Sequence, residues 1–188
     1  RKIAEQIGIE AIFFPQPQEI YPTDRTYIRY EIDVLDQVME TASRPGHMNG
    51  VLQVVSILFH IIQPNRTYFG LKDFQQQLIV TKMVQELHFP MEIVPCPIIR
   101  EPDGLAMSSR NTYLSVQERE EAVCLYESIQ LVKENWSKLD TAQEGVDIAL
   151  QHIQKHETAN IDYVEIREAD TLAEISSISQ AQKPHVFL

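Results

Sequence analysis

The segment Asp103-Gly-Leu-Ala-Met-Ser-Ser-Arg-Asn111 sets the hydroxyls of Ser108 and Ser109 beside the guanidinium of Arg110, in a glycine-containing stretch that follows Pro102. Hydroxyl donors, free backbone N–H groups and a fixed cation are what an anionic phosphate chain requires. A second polar group lies upstream in Tyr68-Phe-Gly-Leu-Lys-Asp-Phe-Gln-Gln76, where Gly70 and Lys72 follow an apolar run and open a helix. A helix N-terminus is a ready place for a phosphate, and ligands of open α/β sheets bind at the carboxyl ends of strands. Lys72 can there place a mobile cation on phosphate oxygens. Asp73 can accept from ribose hydroxyls, stand near a magnesium ion, or simply cap the helix. Gln76, one helical turn on, faces the same mouth and can take a substrate hydroxyl or carboxylate. Gln75 and Gln77 are expected to point elsewhere, into solvent. Either loop alone reads as an ordinary polar turn; the pair points to nucleotide chemistry.

Ser43-Arg-Pro-Gly-His47 can put the Arg44 cation and the His47 imidazole beside a substrate, or can be a plain turn into the next helix. His152 and His156 are four apart and share a helix face, but no third metal ligand is evident in the sequence, so a solvated face is expected. No residue is assigned to a metal. Glu118-Arg-Glu-Glu121 reads as the charged start of a helix, favoured by the helix dipole.

The chain has 188 residues, 44% of them hydrophobic and 23% charged, with a net charge of −11. Non-specific binding to nucleic acid or to an anionic membrane wants a basic face and is not expected. An acidic chain that handles an anion must concentrate its cations, which draws attention to Arg44, Lys72, Arg100 and Arg110. Cys96 and Cys124 lie far apart with no metal-binding spacing and read as reduced thiols of a cytoplasmic protein. No stretch reads as a membrane span or a signal peptide. Arg1 falls inside a helical pattern and Phe187-Leu188 inside an apolar run, so a fragment of a longer chain is expected.

Residues 1–7 predict a helix closed by Gly8. The apolar run Ile9–Phe14, stopped by Pro15, predicts a strand buried on both faces. Tyr27, Ile28, Tyr30, Ile32 and Val34 favour a strand, and Val34, Leu35, Val38, Met39 and Ala42 follow helical spacing. Val51–Ile62 is apolar nearly all round and predicts an almost wholly buried helix, either inside a core or at a two-fold subunit contact. Thr67–Phe69, the loop Gly70–Asp73, a helix from Phe74 and the strand Glu92–Val94 make a βαβ unit. Pro95 and Pro97 mark a boundary. Capping boxes at Ser115–Glu118 and Thr141–Glu144 predict helices to about Leu139 and about His156. Ile161–Ile166 alternates as a half-buried antiparallel strand, with Pro184–Leu188 as its partner. A parallel α/β part therefore precedes a small α+β part.

Phe69-Gly-Leu-Lys-Asp-Phe-Gln-Gln76, Ser43-Arg-Pro-Gly-His47 and Asp103–Asn111 together resemble the pantoate–β-alanine ligase family. Glu19-Ile-Tyr-Pro22 and Ile166-Arg-Glu-Ala-Asp-Thr-Leu172 resemble it too, and the motifs run in the family's order over essentially the whole chain. The resemblance implies a Rossmann-like nucleotidyltransferase domain followed by a smaller C-terminal domain. The expected limits are residues 1–98 for the second half of the nucleotide-binding domain and 99–188 for the α+β part, which carries a loop like KMSKS loops. It implies ATP, pantoate and β-alanine as substrates, a pantoyl adenylate, pantothenate, AMP and pyrophosphate as products, Mg2+, and a cytoplasmic homodimer. By motif, Gly70, Leu71, Lys72 and Asp73 contact ATP, Ile99 lines the adenine side, and Met107, Ser108, Ser109 and Arg110 grip the nucleotide. Lys72, Ser108, Ser109 and Arg110 carry the catalytic charge work, and Gln76, Arg44 and His47 serve the substrate.

The sequence departs from the family in three places. The family's first half, with a HxGH-type motif that holds ATP phosphates, has no counterpart, which implies that on the order of 80–100 residues of a doubly wound sheet are missing. The family's last C-terminal stretch is absent too. Leu71 stands where an acidic residue is expected. Two further readings stay open: a catalytically incomplete nucleotide-binding or dimer-forming fragment, and another nucleotidyltransferase built on the same loops.

Overall fold

Among the described residues backbone pairing builds two small sheets, one parallel and one antiparallel. The structure is a computed structural model that describes residues 2–21, 23, 28–32, 35 and 37–188. Its helices are α1 (Lys2–Gln6), α2 (Pro17–Ile20), α3 (Glu40–Ser43), α4 (His47–Ile62), α5 (Phe74–Glu86), α6 (Val116–Glu121), α7 (Cys124–Asn135) and α8 (Ala142–Ile153). Its strands are β1 (Arg66–Gly70), β2 (Glu92–Cys96), β3 (Glu165–Glu168) and β4 (Pro184–Phe187).

β1 and β2 are parallel, in register from Arg66↔Glu92 to Gly70↔Cys96, and α5 connects them as a βαβ unit requires. Pro95 donates no ladder bond, which β2 tolerates in a sheet of two strands. α4 and α5 pack on this pair. Met48, Leu52 and Phe59 meet Ile79, Val80, Met83 and Val84, with Phe69 and Ile93 of the strands alongside. Burying side chains of this kind is worth about 1.5–3 kcal/mol each. Phe59 meets Phe89 edge to face at 5.7 Å.

A second cluster joins α7, α8 and β3 through Val132, Ala142, Ala149, Ile153, Val164 and Ile166. Small residues let α8 lie close: a Cβ on Gly145 would stand 2.7 Å from Ile166 Cδ1. Both capping boxes form. Ser115 Oγ accepts from Glu118 N (3.2 Å) while Glu118 accepts from Ser115 N (2.7 Å), and Thr141 and Glu144 do the same. β3 and β4 pair antiparallel, Glu165↔Phe187 to Glu168↔Pro184.

A third cluster joins the parts. Met39, Leu172 and Phe187 are buried together, with Val38, Phe74, Leu78 and Tyr163 packed on them. Leu172 is wholly buried although its φ is +54°, a region leucine rarely adopts. Its carbonyl accepts from Arg167 (2.9 Å) and its N–H donates to Glu168 (2.8 Å), which holds the turn.

Several expectations fail here. Residues 9–14 form no strand, and Ile9, Ile12, Phe13 and Phe14 are exposed. Apolar composition asks for burial but supplies no neighbouring strand, and among the described residues none lies beside this run. Ile28–Ile32 is not a strand either, while Tyr27 and Val34 lie outside the described residues. The helix expected over 34–42 shrinks to Glu40–Ser43. α4 buries one face, Met48, Leu52, Ser56 and Phe59, within the chain and leaves Ile61 and Ile62 exposed, so of the two expected settings the core of this chain covers that face alone. The helix from Ser115 kinks at Ala122–Val123, where Leu125 N bonds Ala122 O three residues back. Glu121 there accepts from Thr158 N and Oγ1, which pulls α6 toward that turn. α8 ends at Ile153 rather than near His156. Val164 and Ile166 point inward as the alternation requires, but ladder pairing begins only at Glu165. Alternation reports which face is buried, not where a partner's backbone starts. Among the described residues no helix is long and apolar enough to cross a membrane.

Leu172→Ala is expected to cost ~2–5 kcal/mol in chemical denaturation, because it empties the seam between the two parts. A loss below about 1 kcal/mol would place the seam elsewhere.

Candidate functional site

The two parts enclose a cleft of about 560 Å³, within the range of small-molecule sites. One wall comes from the turn after β1. Leu71–Asp73 forms a single 3-10 turn that delivers Lys72 and Asp73 to the cleft, with Gln76 one turn along α5. Lys72 Nζ lies 3.8 Å from Asp73 Oδ1, and both side chains are substantially exposed. Asp73 occupies the N-cap position of α5 but makes no side-chain capping bond. Its carboxylate thus faces solvent at the cleft lip. That suits Mg2+, which takes one or two carboxylates together with substrate phosphates.

A second wall is the segment Met39–His47. Gly46, at φ +81°, turns the chain into α4 and sets His47 at its first position. Arg44 pairs with Glu40 at 2.5 Å, one helical turn apart, and both line the cleft with His47. The third wall is an arm over residues 99–107. Met107 N donates to Ile99 O (2.9 Å) and Glu101 N to Leu105 O (2.8 Å), closing a tight turn. Asp103 accepts from Leu105 N and pairs with Arg119 at 2.7 Å. That contact holds its carboxyl below the usual range. Arg100 donates to Gly104 O (3.0 Å) and lies 4.7 Å over the Tyr126 ring. The arm thereby docks on α6 and α7 and presents Arg110 to the cleft. Among the described residues the Arg110 guanidinium makes no ion pair.

The structure therefore brings Arg44, His47, Leu71, Lys72, Asp73, Gln76 and Arg110 to one cleft. It leaves Gly70, Ile99, Met107, Ser108 and Ser109 beside the cleft rather than on its wall. Ile99 and Met107 are exposed and made neighbours by the arm's hydrogen bond. Ser108 Oγ accepts from Arg110 N (3.2 Å) and caps the 3-10 turn Ser109–Tyr113, so part of its hydrogen-bonding capacity is structural. Arg100, one of the four cations that drew attention, lines the cleft too, while its guanidinium braces the arm through Gly104 O and the Tyr126 ring.

Gln75 corrects the expectation of a solvated side chain. It is 4% exposed, and its Nε2 donates to Leu35 O, Val38 O and Thr41 Oγ1. It ties the Met39 segment to α5. Gln77 bonds Thr81 along the helix, as an outward residue can. The sequence also gave no hint of the far wall, made by Tyr126, Tyr163, His185 and Phe187. His185 stacks on Phe74 at 4.7 Å, and burial pushes its imidazole below the usual pKa. His185 lies on the exposed face of β4, and its pairing with an aromatic at the start of α5 is visible only once the chain is folded.

The sequence profile of the family described as pantoate-beta-alanine ligase matches residues 1–188. The chain belongs to the pantoate–β-alanine ligase family. The pantothenate synthetase of Desulfitobacterium hafniense is 45% identical over 179 residues, covering 94% of this chain and 63% of that protein. The pantothenate synthetase of Acetivibrio thermocellus is 43% identical over the same share of each. The crystal structure of pantothenate synthetase from Thermus thermophilus matches with a TM-score of 0.86 at 37% identity, covering 94% of this chain and 64% of that one. A pantoate-beta-alanine ligase of Francisella tularensis, solved with beta-gamma ATP and beta-alanine, matches with a TM-score of 0.73 at 28% identity, covering 100% of this chain and 67% of that one. The α/β fold of these ligases is thus the fold of this chain. The chain spans about 63% of the length of the curated relatives it matches.

Gly104 is the residue on which the ligase-family arm turns. Its φ is +98°, and a Cβ there would stand 2.0 Å from the Tyr126 ring. Gly104→Ala should therefore destabilise the fold by ~1–3 kcal/mol, through strain and displacement of Tyr126. Thermal melting is the check. An unchanged melting temperature would mean the arm does not dock on α7.

Proposed function

We propose that the protein condenses pantoate with β-alanine at the expense of ATP. A pantoate carboxylate oxygen attacks the α-phosphorus and pyrophosphate leaves. The β-alanine amine then attacks the acyl carbon of pantoyl adenylate, loses a proton and releases AMP, giving pantothenate. The observation that supports this most is the meeting of Lys72, Asp73 and Gln76 with Arg110 across one cleft, in a chain of the ligase family.

In this reading Lys72 and Arg110 hold phosphate oxygens from opposite walls while negative charge shifts toward the leaving pyrophosphate. Fixed cations aimed at such charge stabilise the transition state without reorganising. Ser108 and Ser109 add hydroxyl donors at the same end. Gly70 and Leu71 approach the nucleotide through backbone, which makes the side chain of Leu71 indifferent. Ile99 and Met107 take the adenine side. Gln76, with Arg44 and His47, holds pantoate, and its placement supplies much of the rate through proximity. Asp73 serves the ribose or the Mg2+ ion, which neutralises phosphate charge when bound. The reading assigns residues 1–98 to a Rossmann-like nucleotide-binding part and residues 99–188 to the part carrying the arm. It includes a homodimer, supported by the exposed Ile61 and Ile62 of α4, and a cytoplasmic location, supported by two free cysteines.

The test pairs melting with pantoate-dependent pyrophosphate release. In the full-length enzyme, Lys72→Ala and Arg110→Ala should each lose ~2–4 kcal/mol of transition-state stabilisation, roughly a hundred- to thousand-fold in rate, with little change in melting. Lys72→Arg should not rescue, since a planar fork fills different space from an ammonium. Normal melting with near-parental rates would end this assignment.

A further inference from the structure

α8 closes beside a pair of imidazoles. His152 lies in its last turn, and His156 follows where its N–H donates to Ile153 O (3.0 Å). The sequence offers no third ligand, but the fold does. Glu127 of α7 reaches across the α7–α8 contact, and its Oε2 lies 2.9 Å from His152 Nε2. One ligand atom each from Glu127, His152 and His156 falls within 4.8 Å of the others. The two rings stand 5.6 Å apart, near edge to face. None of these residues lines the cleft.

We propose that Glu127, His152 and His156 bind a zinc-class divalent cation that staples α7 to α8. Zinc with bonds of about 2.0–2.2 Å sets its tetrahedral ligand atoms roughly 3.3 Å apart. Glu127 and His152 already stand closer than that. His156 sits in a turn beyond the helix and joins by rotating its side chain. Two imidazoles and a carboxylate are a zinc ligand set that leaves a position for water. Imidazole selects zinc, nickel and copper, whereas magnesium and calcium want oxygen. The site is therefore chemically distinct from any magnesium that travels with a nucleotide. The His152 side chain is only 19% exposed, which limits its freedom before the ion arrives. Glu121 acts electrostatically on His156 and adds negative charge nearby, while its own oxygens accept from Thr158 and Gln117.

Protein free of any histidine tag and stripped with a chelator is titrated with Zn2+ alone, by calorimetry and by thermal melting. Saturable binding is expected, with a melting temperature that rises with zinc, as any ligand of the folded state requires. His152→Ala, His156→Ala and Glu127→Gln should each weaken it at least tenfold, since losing a direct ligand outweighs the ~10–100-fold cost of losing an outer-shell partner. Mg2+ should give no shift. If His152→Ala melts early without zinc, His156→Gln and Glu127→Gln carry the comparison. Absence of saturable zinc binding overturns the assignment. So does zinc binding unchanged in the His152→Ala/His156→Ala double variant.

Discussion

The cleft depends on one apolar seam. Phe74, the first residue of α5, stacks on His185 and meets Phe187 at 5.3 Å, both from β4. Met39, Leu78, Leu172 and Tyr163 close around them. Phe74 directly follows Lys72-Asp73, so the contact that joins the two parts also pins the end of the turn carrying the cation. Arg110 is held from the other side by the arm on α6 and α7. If the seam opened, the cations would part and no anion could be gripped between them. Apolar burial supplies the cohesion here, and the charged residues are left at the rim.

Polar contacts complete the frame. Gln75 donates to two backbone carbonyls and to Thr41 Oγ1 from a buried position, and so fixes the wall that carries Met39 and Glu40. Only the amide nitrogen is bonded, the buried Oε1 having no partner among the described residues, and leaving Nε2 unpaired as well would cost more than the hydrogen bonds are worth in water. Met39, at φ +55°, is a strained backbone position that this frame holds in place. In the arm, Asp103 and Gly104 are spent on the turn and its docking. Part of the motif that reads as one anion-binding loop is thus scaffold.

Much of this is legible in local chemistry. Gly8, at φ +77°, closes α1 as its position after the helical pattern implies. The two capping boxes, the βαβ unit and the β3–β4 pair follow from residues that touch near neighbours or alternate at fixed period. What the sequence hides is partnership at long range. Ile9–Phe14 advertises burial without naming what would cover it. Gln75 and Gln76 are chemically identical, and only the packing of α5 against the Met39 segment decides which anchors and which faces the cleft. His152 and His156 showed their shared face, but Glu127 reached them only through the α7–α8 contact. The far wall of Tyr126, Tyr163 and His185 has no local signal, because α7, the approach to β3 and β4 bring the three together only when they pack.

Residue-resolved labelling tests the shared cleft most directly. Lysines and arginines are modified with amine- and guanidinium-selective reagents, with and without saturating ATP, and read by mass spectrometry. The account predicts that ATP protects Lys72 and Arg110 together, while Lys138 and Arg66, outside the cleft, label at unchanged rates. Equal labelling of Lys72 and Arg110 with and without ATP would contradict it.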